Sequence, residues 1–136
     1  MLRGGTRSGK SYALVQMATM WLMTGNIGRF RLSEGQMDIV RDTFPALRQT
    51  MLKEFDEYIH QLDVYSYVEH SKTQHSYKFN GREVLFYPLT DEQRLKGKKR
   101  DLVIINEADG ATWYQFQQIN FRTTKYLWLD YNPNRS

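Results

Sequence analysis

The sequence predicts an α/β fold, a parallel-sheet core flanked by helices and carrying one β-hairpin. Three observations lead there. A glycine-rich run, GGTRSGKS at residues 4–11, opens directly into a helical pattern. A fully apolar run, Leu102-Val103-Ile104-Ile105, is bounded by charge, as suits a strand buried on both faces. Strand-like and helix-like segments alternate along the chain, which places helices on the faces of a sheet.

Each element follows from local pattern. Residues 10–24 carry Ala13 or Leu14, Met17, Met20 and Trp21 at helical spacing, and the pattern stops at Gly25. Residues 26–36 hold two glycines among mixed polarity and predict a loop; Met37 to Val40 predicts a short strand. Within 43–62, Leu47, Met51, Leu52, Phe55, Tyr58, Ile59 and Leu62 recur at steps of three and four, an amphipathic helix with Thr43 and Pro45 near its start. Tyr77 and Phe79 alternate with polar residues, and Asn80-Gly81 separates them from Val84-Leu85-Phe86-Tyr87. That dipeptide tolerates the two positive φ angles of a tight hairpin turn. Residues 90–100 are charged, 102–105 form the buried strand, 111–121 suit a short helix, and Tyr126 to Asp130 a last strand ended by Asn132-Pro133. No repeat or linker divides the chain, so residues 1–136 are expected to be one domain.

Composition narrows the chemistry. Lys and Arg number 19 against 15 Asp and Glu, a net charge of +4 that permits nucleic-acid binding without demanding it. The chain has no cysteine, which excludes disulfide, thiolate and zinc-thiolate chemistry and fits a reducing compartment. It shows no signal peptide and no long uncharged apolar run, so no membrane span is expected.

Residues Gly4, Gly5, Thr6, Arg7, Ser8, Gly9, Lys10 and Ser11 match G-x-x-x-x-G-K-[S/T]. Glycines let backbone N–H groups turn inward around phosphates, which side chains would block. The following helix points its positive end at the same anion. Lys10 is then expected on the β/γ-phosphates of a nucleoside triphosphate such as ATP, and the Ser11 hydroxyl on Mg²⁺. The second signal is the polar pair that ends the apolar strand, Asn106-Glu107. Ligands of open α/β sheets collect at the C-terminal edge of the strands, so the two motifs are expected to meet there. Glu107 is the candidate general base for an attacking water. Asn106 stands where such sites usually carry Asp; an amide reaches a metal ion through a bound water but adds no negative charge, so either Mg²⁺ affinity is reduced or Asp109 or Asp130 compensates.

Asp130 and Asn132, at the end of the last strand, are candidates for sensing the γ-phosphate or holding the water; a strand followed by an Asx-Pro turn explains them equally. The basic run Arg94, Lys96, Lys98, Lys99 and Arg100 suits either phosphate contacts or a solvated loop. His60, His70 and His75 lack metal-ligand spacing and are read as surface or structural residues. Trp21, Trp113 and Trp128 are read as packing residues.

The stretches GGTRSGKSYALVQ (4–16), IVRDTFPALRQTM (39–51), KGKKRDLVIINEAD (96–109) and WLDYNPN (128–134) together resemble the ATPase domain of the large terminase subunit of tailed bacteriophages and prophages. One subgroup of these ATPases carries Asn-Glu-Ala after the second strand motif and an Asp-aromatic-Asn-Pro turn later, matched here by Asn106-Glu107-Ala108 and Asp130-Tyr131-Asn132-Pro133. The resemblance implies a P-loop NTPase of the ASCE type. It implies hydrolysis of ATP with Mg²⁺ to drive double-stranded DNA into a procapsid. It assigns Lys10 and Ser11 to phosphate and Mg²⁺, Glu107 to water activation, and Asp130 and Asn132, in the 130–133 turn, to coupling. Arg7 is a candidate charge-stabilising arginine, and Arg41 a further phosphate contact, from its own or a neighbouring subunit. The implied partners are DNA, a portal protein, a small terminase subunit and other copies in a ring, within the cytoplasm of a bacterial host. The family's adenine-binding segment is expected upstream of residue 1 and its nuclease domain beyond Ser136, so residues 1–136 are expected to be a partial ATPase domain. Two alternatives stand beside this reading: another P-loop ATPase, such as a helicase-like enzyme, and a truncated remnant that folds without turnover.

Overall fold

The computed structural model describes residues 9–97, 99–107, 115, 117–119 and 123–129, with residues 9, 10 and 124–129 described by their backbone. Among the described residues the first element is helix α1 (Gly9–Thr24). Gly25 ends it: its N–H donates to Trp21 O at 2.7 Å and its φ of +83° is the left-handed conformation that glycine adopts without strain. Residues 26–36, expected as loop, also hold a two-residue-per-strand hairpin of β1 (Asn26–Ile27) and β2 (Phe30–Arg31). Strand β3 (Gly35–Arg41) follows.

The helical pattern of 43–62 becomes three consecutive pieces: α2 (Phe44–Leu47), a π-helical turn (Arg48–Leu52) and α3 (Lys53–Gln61). Thr43 caps the start, its Oγ1 accepting from Ala46 N–H at 3.4 Å, with Pro45 in the first turn. The interruption has a cause in the sequence. Leu47, Met51, Phe55 and Ile59, all buried, are spaced by four residues throughout. In an ideal α-helix each such step rotates the side chain about 40° off the previous one. A wider turn absorbs part of that drift and keeps all four on the sheet.

After a 3-10 turn (Tyr65–Tyr67) come β4 (Glu69–Ser71), β5 (Ser76–Phe79), β6 (Arg82–Pro88), the single turn of helix α4 (Glu92–Leu95), β7 (Arg100–Ile105) and β8 (Thr123–Leu129). The sheet order is β4-β5-β6-β3-β7-β8. Strands β6, β3, β7 and β8 run parallel, and β5 turns back on β6 through Asn80 (φ +51°) and Gly81 (φ +81°), the hairpin expected there.

Strand residues alternate between two cores. Met37, Ile39, Val84, Phe86, Leu102 and Ile104 face α1 and α3, meeting Val15, Ala18, Trp21, Leu22, Met51 and Phe55. Val40, Tyr87, Val103 and Ile105 face the other way, against Leu89, Leu95 and Ile119. Burial on both faces is why β7 is apolar throughout its centre. One expectation about α1 is corrected. Met20 is 55% exposed, because it lies about 200° round the helix from buried Ala18.

The second core contains an ion pair. Asp38, in the middle of β3, accepts from Arg100 Nε at 2.8 Å, from Gln36 Nε2 at 2.6 Å and from the Tyr87 hydroxyl. Burial pushes its carboxyl up from the usual carboxylate range, and Tyr87, Gln36 and Arg100 oppose that shift. Arg100 donates further to the carbonyls of Ile119 (3.3 Å), Arg94 (3.2 Å) and Leu95 (3.0 Å). This corrects the reading of the basic run as one exposed unit: Arg100 is 1% exposed. Removing one partner leaves the other buried and uncompensated. Arg100→Met should therefore lower the unfolding free energy by about 3–5 kcal/mol. The paired change Asp38→Leu with Arg100→Met should cost much less, as judged by urea midpoints. A double variant less stable than Arg100→Met would show that the charge is not what matters.

Candidate functional site

The ends of β3 and β7 lie side by side at the C-terminal edge of the parallel strands. Val40 pairs with Ile105, and the Asn106 N–H donates to Val40 O at 2.8 Å, extending the ladder one residue past β7. Asn106 is 1% exposed. Its Nδ2 donates to the Ser11 hydroxyl at 3.4 Å, and its Oδ1 accepts from Arg41 Nη1 at 3.3 Å. Ser11 lies in the first turn of α1, so the positive end of that helix faces the same edge.

Glu107 follows with φ +53°, a left-handed conformation that a non-glycine residue adopts at a cost of about 1–3 kcal/mol. It turns the chain at the strand end, where the Glu107 carboxylate meets Arg41 Nη2 at 3.2 Å. Arg41 ends β3, is 14% exposed in its side chain, and also reaches the Thr50 hydroxyl (3.2 Å) and the Asp42 carboxylate (3.8 Å). One guanidinium thus ties together the polar ends of two strands and a helix.

Of the residues singled out in the sequence, the structure brings Ser11, Arg41, Asn106 and Glu107 together. Gly9 and Lys10 open α1 beside them by their backbone. Gly4, Gly5, Thr6, Arg7 and Ser8, and Asp109, Asp130 and Asn132, lie outside the described residues. The basic run divides. Arg100 is buried, Arg94 pairs with Asp91 and donates to Gln74 O, Lys96 pairs with Glu92, Lys99 is exposed, and Lys98 is not among the described residues. Thr50 was not singled out by the sequence reading. A threonine inside an amphipathic helix carries no signal until the π turn that aims it is known.

His60 and His70 sit in an aromatic cluster with Tyr65 and Tyr77, while His75 packs on Phe44 at 4.6 Å. His70 Nδ1 hydrogen-bonds the Tyr65 hydroxyl at 2.7 Å and its ring stacks on Tyr77 at 4.1 Å; His60 stacks on Tyr65 at 4.0 Å. Among the described residues no three potential ligands gather to hold a metal by themselves. A divalent ion at the strand edge is a different case, because nucleotide phosphates supply most of its ligands and waters fill the rest. The Ser11 hydroxyl fits that role as a neutral oxygen ligand; Asn106 turns its amide nitrogen toward Ser11 at 3.4 Å and its oxygen toward Arg41, so it would act on the ion only through a bound water.

A cavity of about 780 Å³ opens at the opposite edge of the sheet. Its carboxylates, Glu34, Glu69, Glu83 and Asp101, outnumber its cations Lys78 and Arg82, which suits a phosphate poorly. The positive helix end and the polar strand ends make the C-terminal edge the better anion site. No helix among the described residues is long and apolar enough to cross a membrane.

Comparison with known proteins agrees with this architecture. The large terminase of a thermophilic bacteriophage matches with a TM-score of 0.74 at 18% identity, over 96% of this chain and 32% of that one. Structures of that terminase with ADP and with ATP-γ-S match at 0.69 and 0.67. The ATPase domain of the large terminase of Thermus phage P74-26 matches at 0.68 and 17% identity, over 97% of this chain and 58% of that domain. The large terminase of bacteriophage HK97 matches at 0.72 and 10% identity, over 96% of this chain and 28% of that one. The chain thus spans less than two thirds of each of these proteins. No curated protein matches it in sequence. The profile of the phage terminase large subunit matches residues 1–135, and the chain belongs to that family.

Proposed function

We propose that this chain binds ATP with Mg²⁺ at the C-terminal edge of its sheet and hydrolyses it, with Glu107 accepting the proton of the attacking water. The observation that carries the reading is the convergence of Ser11, Asn106, Glu107 and Arg41 at that edge, contributed by three elements far apart in sequence. The family, and the capture of ADP and ATP-γ-S by a structurally similar terminase, support a nucleotide as the ligand.

The residues divide the work. The backbone N–H groups of Gly4, Gly5, Thr6, Arg7, Ser8 and Gly9 cradle the phosphates, and Lys10 neutralises β/γ charge. Ser11 directly, and Asn106 through water, hold Mg²⁺, which when bound draws charge from the phosphate oxygens. A carboxylate has two oxygens and about four acceptor sites, so pairing of Glu107 with Arg41 is compatible with accepting from a water. Arg41 fixes the direction of that carboxylate, and Arg7 is the candidate for charge on the γ-phosphoryl group. Asp130 and Asn132 are assigned to coupling. In this reading turnover translocates double-stranded DNA into a procapsid. The motor is a homo-oligomeric ring working with a portal protein and a small terminase subunit in the host cytoplasm, and residues 1–136 supply part of its ATPase domain.

Three measurements test it. Lys10→Ala should abolish ATP binding in a fluorescence titration while circular dichroism stays unchanged; wild-type affinity in the variant would remove the phosphate-loop assignment. Glu107→Gln preserves shape and removes charge. It should keep ATP binding and lose at least about 100-fold in DNA-stimulated hydrolysis, the contribution of a positioned general base. Wild-type turnover in that variant would pass the role to Asp109 or Asp130. DNA binding should weaken steeply with salt and ignore sequence, as phosphate contacts do; salt-independent, sequence-selective binding would contradict a translocating motor.

A further inference from the structure

Arg41 is a long, rotamer-rich side chain, and something must fix its guanidinium before it can fix anything else. Its Nη2 meets Glu107 at 3.2 Å, and its Nη1 is shared between Asn106 Oδ1 (3.3 Å) and Thr50 Oγ1 (3.2 Å). The polarity at Thr50 is set from behind. Its hydroxyl donates to Ala46 O at 2.7 Å, so the oxygen presents lone pairs to the arginine. Thr50 lies at the centre of the π-helical turn Arg48–Leu52. Such turns occur frequently at functional sites. This one widens the helix at the residue whose hydroxyl meets the end of β3.

We propose that Thr50 is a positioning residue for ATP hydrolysis: its hydroxyl, aimed by the π turn, fixes the Arg41 guanidinium and thereby the Glu107 carboxylate. The inference rests on the functional reading above and adds to it a residue that touches neither nucleotide nor metal. Thr50 acts only through Arg41, and this gives it a signature distinct from a packing role. The Glu107 carboxylate needs its direction during the chemical step, whereas ATP is held by the phosphate loop. Loss of the Thr50 hydroxyl therefore falls on kcat and spares KM.

The experiment is steady-state ATP hydrolysis by the protein as encoded, with double-stranded DNA present. It compares wild type, Thr50→Val, Thr50→Ser, Arg41→Ala and the double variant Thr50→Val/Arg41→Ala. Thr50→Val keeps the shape and removes the acceptor; kcat should fall about 10- to 100-fold, the scale of a misplaced reacting group. KM for ATP should stay within about twofold, and Thr50→Ser should restore most of the rate. The double variant should be no slower than Arg41→Ala alone, since one residue acts through the other. Should Thr50→Val fail to fold, Thr50→Ala carries the same comparison. Wild-type kcat in Thr50→Val, or losses that multiply in the double variant, would overturn the proposal while leaving the ATPase reading intact. A wild-type protein that binds ATP and turns none over would overturn the ATPase reading, and this inference with it.

Discussion

The parallel pairing of β3 with β7 is the constraint on which the rest of the molecule depends. Because the strands run the same way, their C-terminal ends fall at one edge, and the register Val40↔Ile105 sets Arg41 beside Asn106. Antiparallel pairing of the same two segments would send those residues to opposite edges. A slip of β7 by one residue would exchange the faces of Ile104 and Ile105 while β3 kept its own. Both faces are apolar and covered, so alternation alone discriminates weakly between registers here. Polar residues at the two ends of the pair must supply the discrimination.

They do so at both ends. Near the start of β7, Arg100 reaches Asp38 within the second core and ties down the carbonyls of Arg94, Leu95 and Ile119. At the other end Arg41 joins Asn106 and Glu107. A shifted register would part the Asp38 carboxylate from the Arg100 guanidinium and leave each charge buried without its counter-charge, which is far more costly than a mismatch of aliphatic side chains. The ion pair contributes modestly to stability in its correct place and strongly opposes the incorrect ones. It also explains why a sequence so apolar at 102–105 is preceded by a buried arginine.

Much of this was legible in the sequence, for identifiable reasons. The hairpin announced itself in Asn80-Gly81 because few residues tolerate two positive φ angles in succession. Strand β7 was legible because only a strand covered on both faces is apolar at every position from 102 to 105. That Ser11 lies beside Asn106 followed from the general rule for open sheets. Other features depend on tertiary contacts that leave no local mark. Arg100 looked like one member of a basic run because composition does not record that Asp38 waits on another strand. Met20 looked like core because its residue type is apolar, though the helix turns it outward. The π turn was invisible because spacing by four reads the same in a slightly rotated α-helix, and Thr50 was invisible with it.

The left-handed backbone at Glu107 carries the last step. Asn80 and Gly81 share a positive φ for an evident geometric reason, since a tight hairpin turn requires it. Glu107 has no such turn to make between paired strands. For stability alone, Gly or Asn would relieve the strain at this position. A glutamate there costs about 1–3 kcal/mol of backbone energy, partly offset by its ion pair with Arg41. That expense is intelligible if the carboxylate itself is needed at this point in space. The strained turn brings it to Arg41, and Arg41 prevents the side chain from swinging into solvent. Backbone strain, the ion pair and the Thr50 hydroxyl behind it are then three parts of one device, which holds a single carboxylate at the edge where α1 presents its positive end.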